Sequence, residues 1–158
     1  MKVAVLTISD TVARGEREDA SGPALLSRCK ELKWEVIAKE ILPDDAVRIQ
    51  SLLRHFADDE HADLVLTTGG TGLGPRDVTP EATLAIADRL IPGLPEQMRR
   101  SGVENTPRAI LSRGLAAVRG TTLILNLPGS PKGAIQSLDS VAALLPHAVE
   151  VLHGARHD

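Results

Sequence analysis

Four short apolar runs, each followed by a polar loop and then by a helical pattern, constrain the fold of this 158-residue chain more than any other feature. The runs are rich in Val, Ile, Leu and Thr, and each is short enough to be a buried strand. They cover residues 3–9, 34–42, 63–68 and 121–128. Strands that alternate with helices predict a parallel sheet with helices on both faces, and therefore an α/β protein.

The segments between and after these runs have helical character. In the second of them, the apolar side chains fall on one helical face, with the spacing i, i+3, i+4 and i+7: Ile49, Leu52, Leu53 and Phe56. The predicted helices are 21–32, 46–58, one that begins near residue 79, one or two short helices within 95–113, and 133–152. Pro146 is expected to kink or restart the last of these.

The third helix carries a clear start signal. Thr79 is predicted as its N-cap, Pro80 as its first helical residue, and Glu81 as an acidic residue near the positive end of the helix dipole. Its predicted apolar side consists of Ala82, Ala85, Ile86 and Leu90.

Composition excludes several classes of function. Net charge is −3 and aromatic residues make up only 1%, so we expect no nucleic-acid partner. The only cysteine, Cys29, rules out an intramolecular disulfide and favours a reducing compartment. No apolar run approaches the roughly 18 residues that span a bilayer, and the start of the sequence does not resemble a signal peptide. We expect one domain over residues 1–158, cytoplasmic and without a membrane.

All four apolar runs lead into polar loops that leave the predicted strands at their carboxyl ends. In an open parallel α/β sheet, ligands bind outside that edge. The loops begin near residues 10, 43, 69 and 128, so we expect them to meet at one rim. The sequence therefore predicts a ligand site there.

The loop after the third strand is the most distinctive, within TTGGTGLGPRDVTPEAT at residues 67–83. No lysine follows its glycines as a Walker A loop requires, and a GxGxxG fingerprint that starts at Gly70 would need glycine where Pro75 stands. Glycines allow backbone N–H groups to approach an anion closely. From the residues alone, phosphate binding and a plain turn between strand and helix remain comparable alternatives.

Aspartates follow the same strands. Asp10, Asp44, Asp45 and Asp77 all fall at or near the predicted rim. Carboxylates beside an anion-binding loop favour a cation between them, and Mg²⁺ prefers mixed carboxylate and phosphate oxygens. For the Asp44–Asp45 pair, a helix N-cap is the alternative, and one aspartate could cap while the other faces the ligand.

Four motifs in order complete the pattern: LTISDT, LPDD, GGTGLGPRDVTPEAT and LILNLPGSPKG. Together they closely resemble the molybdopterin adenylyltransferase family, which includes the G domain of gephyrin. The resemblance implies a three-layer α/β/α sandwich with a mainly parallel sheet, usually as a homotrimer. It implies transfer of AMP from Mg²⁺-ATP to the terminal phosphate of molybdopterin, release of pyrophosphate, and hand-over of the product to a molybdenum insertase.

The resemblance also implies site residues. Asp44 and Asp77 map onto the functional aspartates of the family, which implies roles in catalysis and in Mg²⁺ binding. Nucleotide or pterin binding is implied for Ser9, Asp10, Asp19, Ser21, Gly69, Gly70, Thr71, Gly72, Ser112, Arg113, Pro128, Gly129, Ser130 and Lys132. Within this set, Ser9 and Asp10 are expected on the pocket floor, and Ser112 and Arg113 on the pterin side.

Two other functions remain open: a non-catalytic relative that binds molybdopterin, and a self-associating scaffold module. The presence of both Asp44 and Asp77 favours the enzyme. Its nucleophile would be a phosphate oxygen that is already ionised at neutral pH, so no general base is needed. The five histidines and Cys29 therefore need no catalytic role.

Overall fold

A six-stranded sheet forms the centre of the computed structural model, which describes residues 1–156. The strand order across the sheet is β2-β1-β3-β6-β5-β4. The strands are β1 Lys2–Ile8, β2 Glu35–Leu42, β3 Leu64–Thr68, β4 Arg89–Leu90, β5 Ala116–Arg119 and β6 Thr122–Leu127.

The four strands predicted from the sequence form the parallel part of this sheet. Strand β1 pairs in parallel with β2 and β3, and β3 pairs in parallel with β6. In register, Val5 lies beside Leu66, and Leu66 lies beside Leu125. All five residues of β3 are buried, as expected for a central strand covered on both faces.

Strands β4 and β5 are antiparallel and were not predicted. Strand β5 joins β6 through a tight hairpin in which Arg119 pairs with Thr122. Gly120 in its turn has a φ of 57°, a conformation that glycine adopts without steric cost. The strand itself has only four residues, two of them alanine, so neither its length nor its β-propensity is distinctive.

Helices cover both faces of the sheet. They are α1 Asp10–Ala13, α2 Ser21–Glu31, α3 Ala46–Arg54, α4 Thr79–Ile86, α5 Gly93–Val103, α6 Pro131–Val141 and α7 Leu145–Leu152. A π-helical turn, His55–Asp59, extends α3, and short 3₁₀ turns cover Pro107–Leu111 and Ala142–Leu144. Pro146 lies in the first turn of α7, which confirms that the last helical segment restarts there. Within residues 1–156, no helix is long and apolar enough to cross a membrane.

Two hydrophobic clusters separate the three layers. One contains Leu25 of α2 and Leu138 of α6, packed with Leu66 and Leu125 of the sheet. The other lies on the opposite face and contains side chains of α3, its π-helical turn and α4: Ile49, Leu53, Phe56, Ala82 and Ile86. The predicted three-layer α/β/α sandwich is therefore confirmed.

Helix α4 differs from its prediction at both ends. Val78 is the N-cap residue, and the hydroxyl of Thr79 instead donates a hydrogen bond to the carbonyl oxygen of Gly69, 2.9 Å away. The prediction of Thr79 as N-cap is wrong because the glycine loop competes for its hydroxyl. The predicted apolar side is wrong at Ala85, which is exposed, and at Leu90, which lies in β4.

Candidate functional site

The loops that follow the parallel strands meet at one edge of the sheet and enclose a cavity of about 620 Å³. We call it the acidic cavity, because three of its lining side chains are Asp19, Asp44 and Asp77. The other sequence-predicted residues that line it are Ser9, Ser21, Gly69, Gly70, Gly129 and Ser130. The rim predicted from strand order thus exists and brings most of the predicted residues together.

The glycine loop forms one wall of this cavity and requires glycine at two consecutive positions. Gly69 and Gly70 have φ angles of 102° and 68°. A β-carbon at Gly69 would lie 2.2 Å from the carbonyl oxygen of Ile8, and one at Gly70 would lie 2.3 Å from the hydroxyl of Thr79. The loop therefore packs directly against the end of β1 and the start of α4, and side chains are excluded by both conformation and space.

Asp44 and Asp10 hold each other across the ends of β1 and β2. The N–H of Asp10 donates to Asp44 Oδ2, and the N–H of Asp44 donates to Asp10 Oδ1, each at 3.0 Å. Asp44 Oδ1 is buried and is the one such side-chain atom without a hydrogen-bond partner in the part of the chain that the structure describes. Burial, followed by the negative charges of Asp10 and Asp77, raises the pKa of Asp44.

Asp10 lies behind Asp44, outside the set of described residues that line the acidic cavity. Its carboxylate accepts two hydrogen bonds from the guanidinium of Arg76, from Nε and Nη2, both at 3.0 Å. This bidentate pair lowers the pKa of Asp10. Both of its oxygens are therefore occupied by protein groups.

Asp45 and Asp77 have distinct positions. Asp45 caps α3 by accepting the N–H of Arg48 at 3.1 Å, so of the adjacent aspartates Asp45 caps and Asp44 lines the cavity. Asp77 Oδ2 accepts the N–H of Gly74 at 2.9 Å. A β-carbon at Gly72 would lie 2.8 Å from the same oxygen, so the glycines leave room for this carboxylate as well.

The loop between α1 and α2 is tied to the sheet by Asp19. Its Oδ2 accepts the hydroxyl of Thr7 at 2.8 Å, and its Oδ1 accepts the N–H of Gly22 at 2.9 Å. Ser21 is buried in the first turn of α2. Arg17 and Glu18, from the same loop, also line the cavity.

The loop after β6 closes the cavity on its other side. The hydroxyl of Thr68 donates to the carbonyl oxygen of Pro128 at 2.6 Å, and Gly129 packs against the backbone of Gly69. Ser130 caps α6 by accepting the N–H of Gly133 at 3.1 Å. Lys132 is the second residue of the helix, has an exposed side chain, and lines neither this cavity nor the next.

A second cavity, of about 470 Å³, lies on the other side of the glycine loop. We call it the apolar cavity, because Leu73, Pro95, Met98, Ala109 and Leu111 line it. The sequence-predicted residues in its wall are Thr71, Gly72, Ser112, Pro128 and Ser130. Ser130 lines both cavities, so the two lie next to each other.

Arg113 lies against the glycine loop and lines neither of these cavities. Its Nε donates to the carbonyl oxygen of Gly72 and its Nη2 to that of Asp77, both at 2.8 Å. Nη1 contacts the carboxylate of Glu81, and the backbone N–H of Arg113 donates to Thr71 at 2.9 Å. Arg113 thus fixes the course of the loop.

The sequence predicted no role for Arg76, and it predicted Thr79 as an N-cap rather than as a support for the glycine loop. Both residues stand within GGTGLGPRDVTPEAT, the motif that carries the resemblance. Their place in that motif was the one indication in the sequence that they have a role at the site. Their partners, Asp10 and Gly69, are fixed only when the loop is folded.

The described residues include no cluster of three or more His, Cys, Asp or Glu side chains placed to hold a metal ion. A Mg²⁺ ion in this site would therefore take most of its ligands from water and phosphate, which is its usual behaviour in nucleotide sites. The unpartnered oxygen of Asp44 and the carboxylate of Asp77 suit such an ion. Cys29 is buried, and burial raises the pKa of its thiol to about 11, which agrees with an unreactive residue.

Fold and site together define an α/β/α protein with a glycine-walled, carboxylate-bearing ligand site at the carboxyl edge of a parallel sheet. A family model described as "Probable molybdopterin binding domain" matches residues 4–147. The chain belongs to that family.

Relatives and solved structures agree with this assignment. A molybdopterin adenylyltransferase of Haemophilus influenzae is 41% identical over 143 residues, which are 89% of this chain and 73% of that protein. The cinnamon protein of Drosophila melanogaster, a molybdenum cofactor synthesis protein, is 44% identical over 153 residues, which are 94% of this chain and 25% of that protein. This chain therefore spans about a quarter of that relative. The crystal structure of MoaB, a molybdopterin biosynthesis enzyme of Thermus thermophilus, superimposes on this chain with a TM-score of 0.92. The two sequences are 52% identical, and the match covers 99% of each chain.

Proposed function

We propose that this protein is a molybdopterin adenylyltransferase of molybdenum cofactor biosynthesis. A terminal phosphate oxygen of molybdopterin attacks the α-phosphorus of ATP, the bond to the bridging oxygen of the β-phosphate breaks, and pyrophosphate leaves. The observation that carries the proposal is the buried, unpartnered Oδ1 of Asp44, in a cavity that also contains Asp77 and the glycine loop. Relatives named molybdopterin adenylyltransferase supply the reaction.

In this proposal the acidic cavity binds the nucleotide. Asp44 and Asp77 would hold Mg²⁺, which would neutralise charge on the triphosphate. Gly69, Gly70 and Gly129 allow the backbone to pass close to the phosphates. Ser130 and Lys132, at the amino terminus of α6, add favourable electrostatics for an anion. Positioning and charge neutralisation then account for catalysis without a general base.

The apolar cavity is our candidate for the pterin. Its wall of Met98, Leu111 and Pro95 suits a flat ring, and the neighbouring Ser112 provides a polar group for the edge of that ring. Its shared wall with the acidic cavity at Ser130 supports a substrate whose phosphate reaches the nucleotide.

We also propose that the protein assembles as a homotrimer and passes its product to a molybdenum insertase, as the resemblance implies. Leu73 and Ile110 support self-association, because their side chains are 68% and 63% exposed close to the apolar cavity. Sedimentation equilibrium tests the first part: a mass of three chains is expected, and a monomer at all concentrations contradicts it.

The decisive assay mixes purified protein with molybdopterin, ATP and Mg²⁺ and measures adenylylated pterin and pyrophosphate. Asp77→Asn is run alongside, with Asp59→Asn as a matched control on the exposed π-helical turn after α3. We expect product from the parent and the control and at least about 100-fold less from Asp77→Asn. Product from all three removes Asp77 from the mechanism. Tight pterin binding without any product supports the non-catalytic alternative.

A further inference from the structure

Asp44 is held by a second aspartate, Asp10, through two hydrogen bonds that each join a backbone N–H to a carboxylate. The reciprocal 3.0 Å hydrogen bonds between Asp10 and Asp44 close a ring that joins the end of β1 to the loop after β2. The ring uses Asp44 Oδ2 and leaves Oδ1 without a partner. The backbone N–H of Asp10 therefore holds one oxygen of Asp44, and the carboxylate of Asp10 holds the backbone N–H of Asp44.

Two aspartates this close repel each other, and Asp77 adds a third negative charge that acts on Asp44. Arg76 compensates for this repulsion. Its planar guanidinium contacts both oxygens of Asp10, so it fixes the rotation of that carboxylate as well as its charge. A lysine would supply the charge without the two-point geometry.

Arg76 comes from the glycine loop, one residue before Asp77. The ion pair therefore also connects that loop to the end of β1. Neither Arg76 nor Asp10 is among the described residues that line the acidic cavity, whereas Asp44 and Asp77 are. Their effect on a ligand thus passes through Asp44.

We infer that Arg76 and Asp10 are positioning residues that orient Asp44, so that its free oxygen is held for the divalent cation of the transferase. This inference rests on the proposed function. The resemblance to the family implied that Asp10 contacts the ligand directly, and it implied no role for Arg76. Removal of either partner loosens the hold of the Asp10 carboxylate on the backbone of Asp44 and weakens cation binding without removing a ligand atom.

The test measures Mn²⁺ binding by electron paramagnetic resonance in the presence of α,β-methylene-ATP, which cannot transfer AMP. We expect Arg76→Gln and Asp10→Asn each to weaken Mn²⁺ binding about tenfold, in line with losses of residues that support metal ligands. The double variant should bind Mn²⁺ no more weakly than the single variant with the larger loss, because both substitutions act through Asp44. Arg76→Lys should restore part of the loss.

Two further measurements separate positioning from other roles. Binding of the ATP analogue in EDTA should change less than twofold in Arg76→Gln, because Arg76 is not in contact with the phosphates. Arg28→Gln, which removes an ion pair with Asp139 far from the site, is the control and should bind Mn²⁺ like the parent. Thermal melting confirms that each variant is folded.

Unchanged Mn²⁺ binding in folded Arg76→Gln overturns the inference. A large loss of analogue binding in EDTA also overturns it and makes Arg76 a direct phosphate ligand. Additive losses in the double variant contradict a common route through Asp44. If the parent itself binds neither the analogue nor Mn²⁺, the proposed function fails, and this outcome is distinct from the other three.

Discussion

The acidic cavity and the apolar cavity lie on opposite sides of one glycine loop, yet they are built in different ways. In the acidic cavity, Asp19, Asp44 and Asp77 are each fixed by hydrogen bonds to backbone N–H groups. The wall of the apolar cavity comes largely from the side chains of α5 and the 3₁₀ turn that follows it, such as Met98 and Leu111. Leu111 is 53% exposed, whereas Asp44 retains a buried, unpartnered oxygen.

The two cavities therefore meet different physical requirements. Charge at the acidic cavity must be held in fixed positions, since electrostatic stabilisation depends on preorganised groups. A ring in the apolar cavity requires shape and apolar surface, which tolerate more variation. The glycine loop touches both cavities, so its conformation couples them. The variants below separate the two contributions.

Gly69→Ala is expected to have the largest effect. A β-carbon there would lie 2.2 Å from the Ile8 carbonyl oxygen at a φ of 102°, so we expect the free energy of unfolding to fall by about 3 kcal/mol. Gly120→Ala is the matched control, since its φ is also positive but its surroundings are open, and it should cost about 1 kcal/mol. Urea denaturation measures both; equal costs would mean that packing against β1 is unimportant.

Arg113→Met should loosen the loop between the cavities. It removes hydrogen bonds to the carbonyl oxygens of Gly72 and Asp77, for an expected loss of about 2 kcal/mol in unfolding free energy. Hydrogen exchange at residues 71–77 should rise, and binding in both cavities should weaken. Arg54→Met on α3 is the control. Loss of pterin binding alone, with unchanged exchange, would instead support a direct ligand contact for Arg113.

Ala109→Phe should affect the apolar cavity alone. The added ring occupies part of the volume of this cavity, so we expect molybdopterin to bind about tenfold more weakly. This corresponds to a loss of about 1.4 kcal/mol in binding free energy. Affinity for ATP, measured by calorimetry, should change less than twofold. Leu84→Phe, at an exposed position on α4, is the control. A parallel loss of ATP affinity would show that the cavities do not bind separate parts of the substrates.

Glu81→Gln should have the smallest effect, and that effect should depend on pH. The Arg113 guanidinium lowers the pKa of Glu81 from its ordinary value of 4.5 in the folded state. The ion pair therefore adds stability above pH 4.5, and this stability is lost as the pH falls through the lowered pKa. For an exposed pair we expect about 0.5 kcal/mol at pH 7 and no difference near pH 2. Urea denaturation at both pH values measures it; a difference that persists at pH 2 contradicts the ion-pair explanation.

Much of the fold was predictable because the parallel strands are short, largely apolar runs with helices between them. The strands β4 and β5 at the edge of the sheet were not predictable. The sequence of β5 has only a weak strand pattern, and the strand forms because it pairs with β6. A hairpin signal was present in Gly120, two residues before Thr122, but it is weak without a second strand pattern.

The candidate site was predictable in location and in most of its members. Asp44, Asp77, Gly69 and Gly70 follow from the position of their loops after strands, and they line one cavity. The positions of Asp10, Arg113 and Lys132 did not follow. Asp10 and Arg113 bind other parts of the protein, and Lys132 is exposed. Sequence alone does not distinguish a polar residue that faces a ligand from one that supports its neighbour.

The layer architecture, the edge at which the loops meet and the family could all be predicted from the sequence, because hydrophobic periodicity and the spacing of glycines and aspartates are local properties. Three contacts depend on the folded chain instead: Thr79 and Arg113 each bind the glycine loop, and Arg76 binds Asp10. Arg76 and Asp10 are 66 residues apart in the chain. Their contact exists because parallel strands bring distant carboxyl ends to one edge, and no local pattern records which side chains meet there.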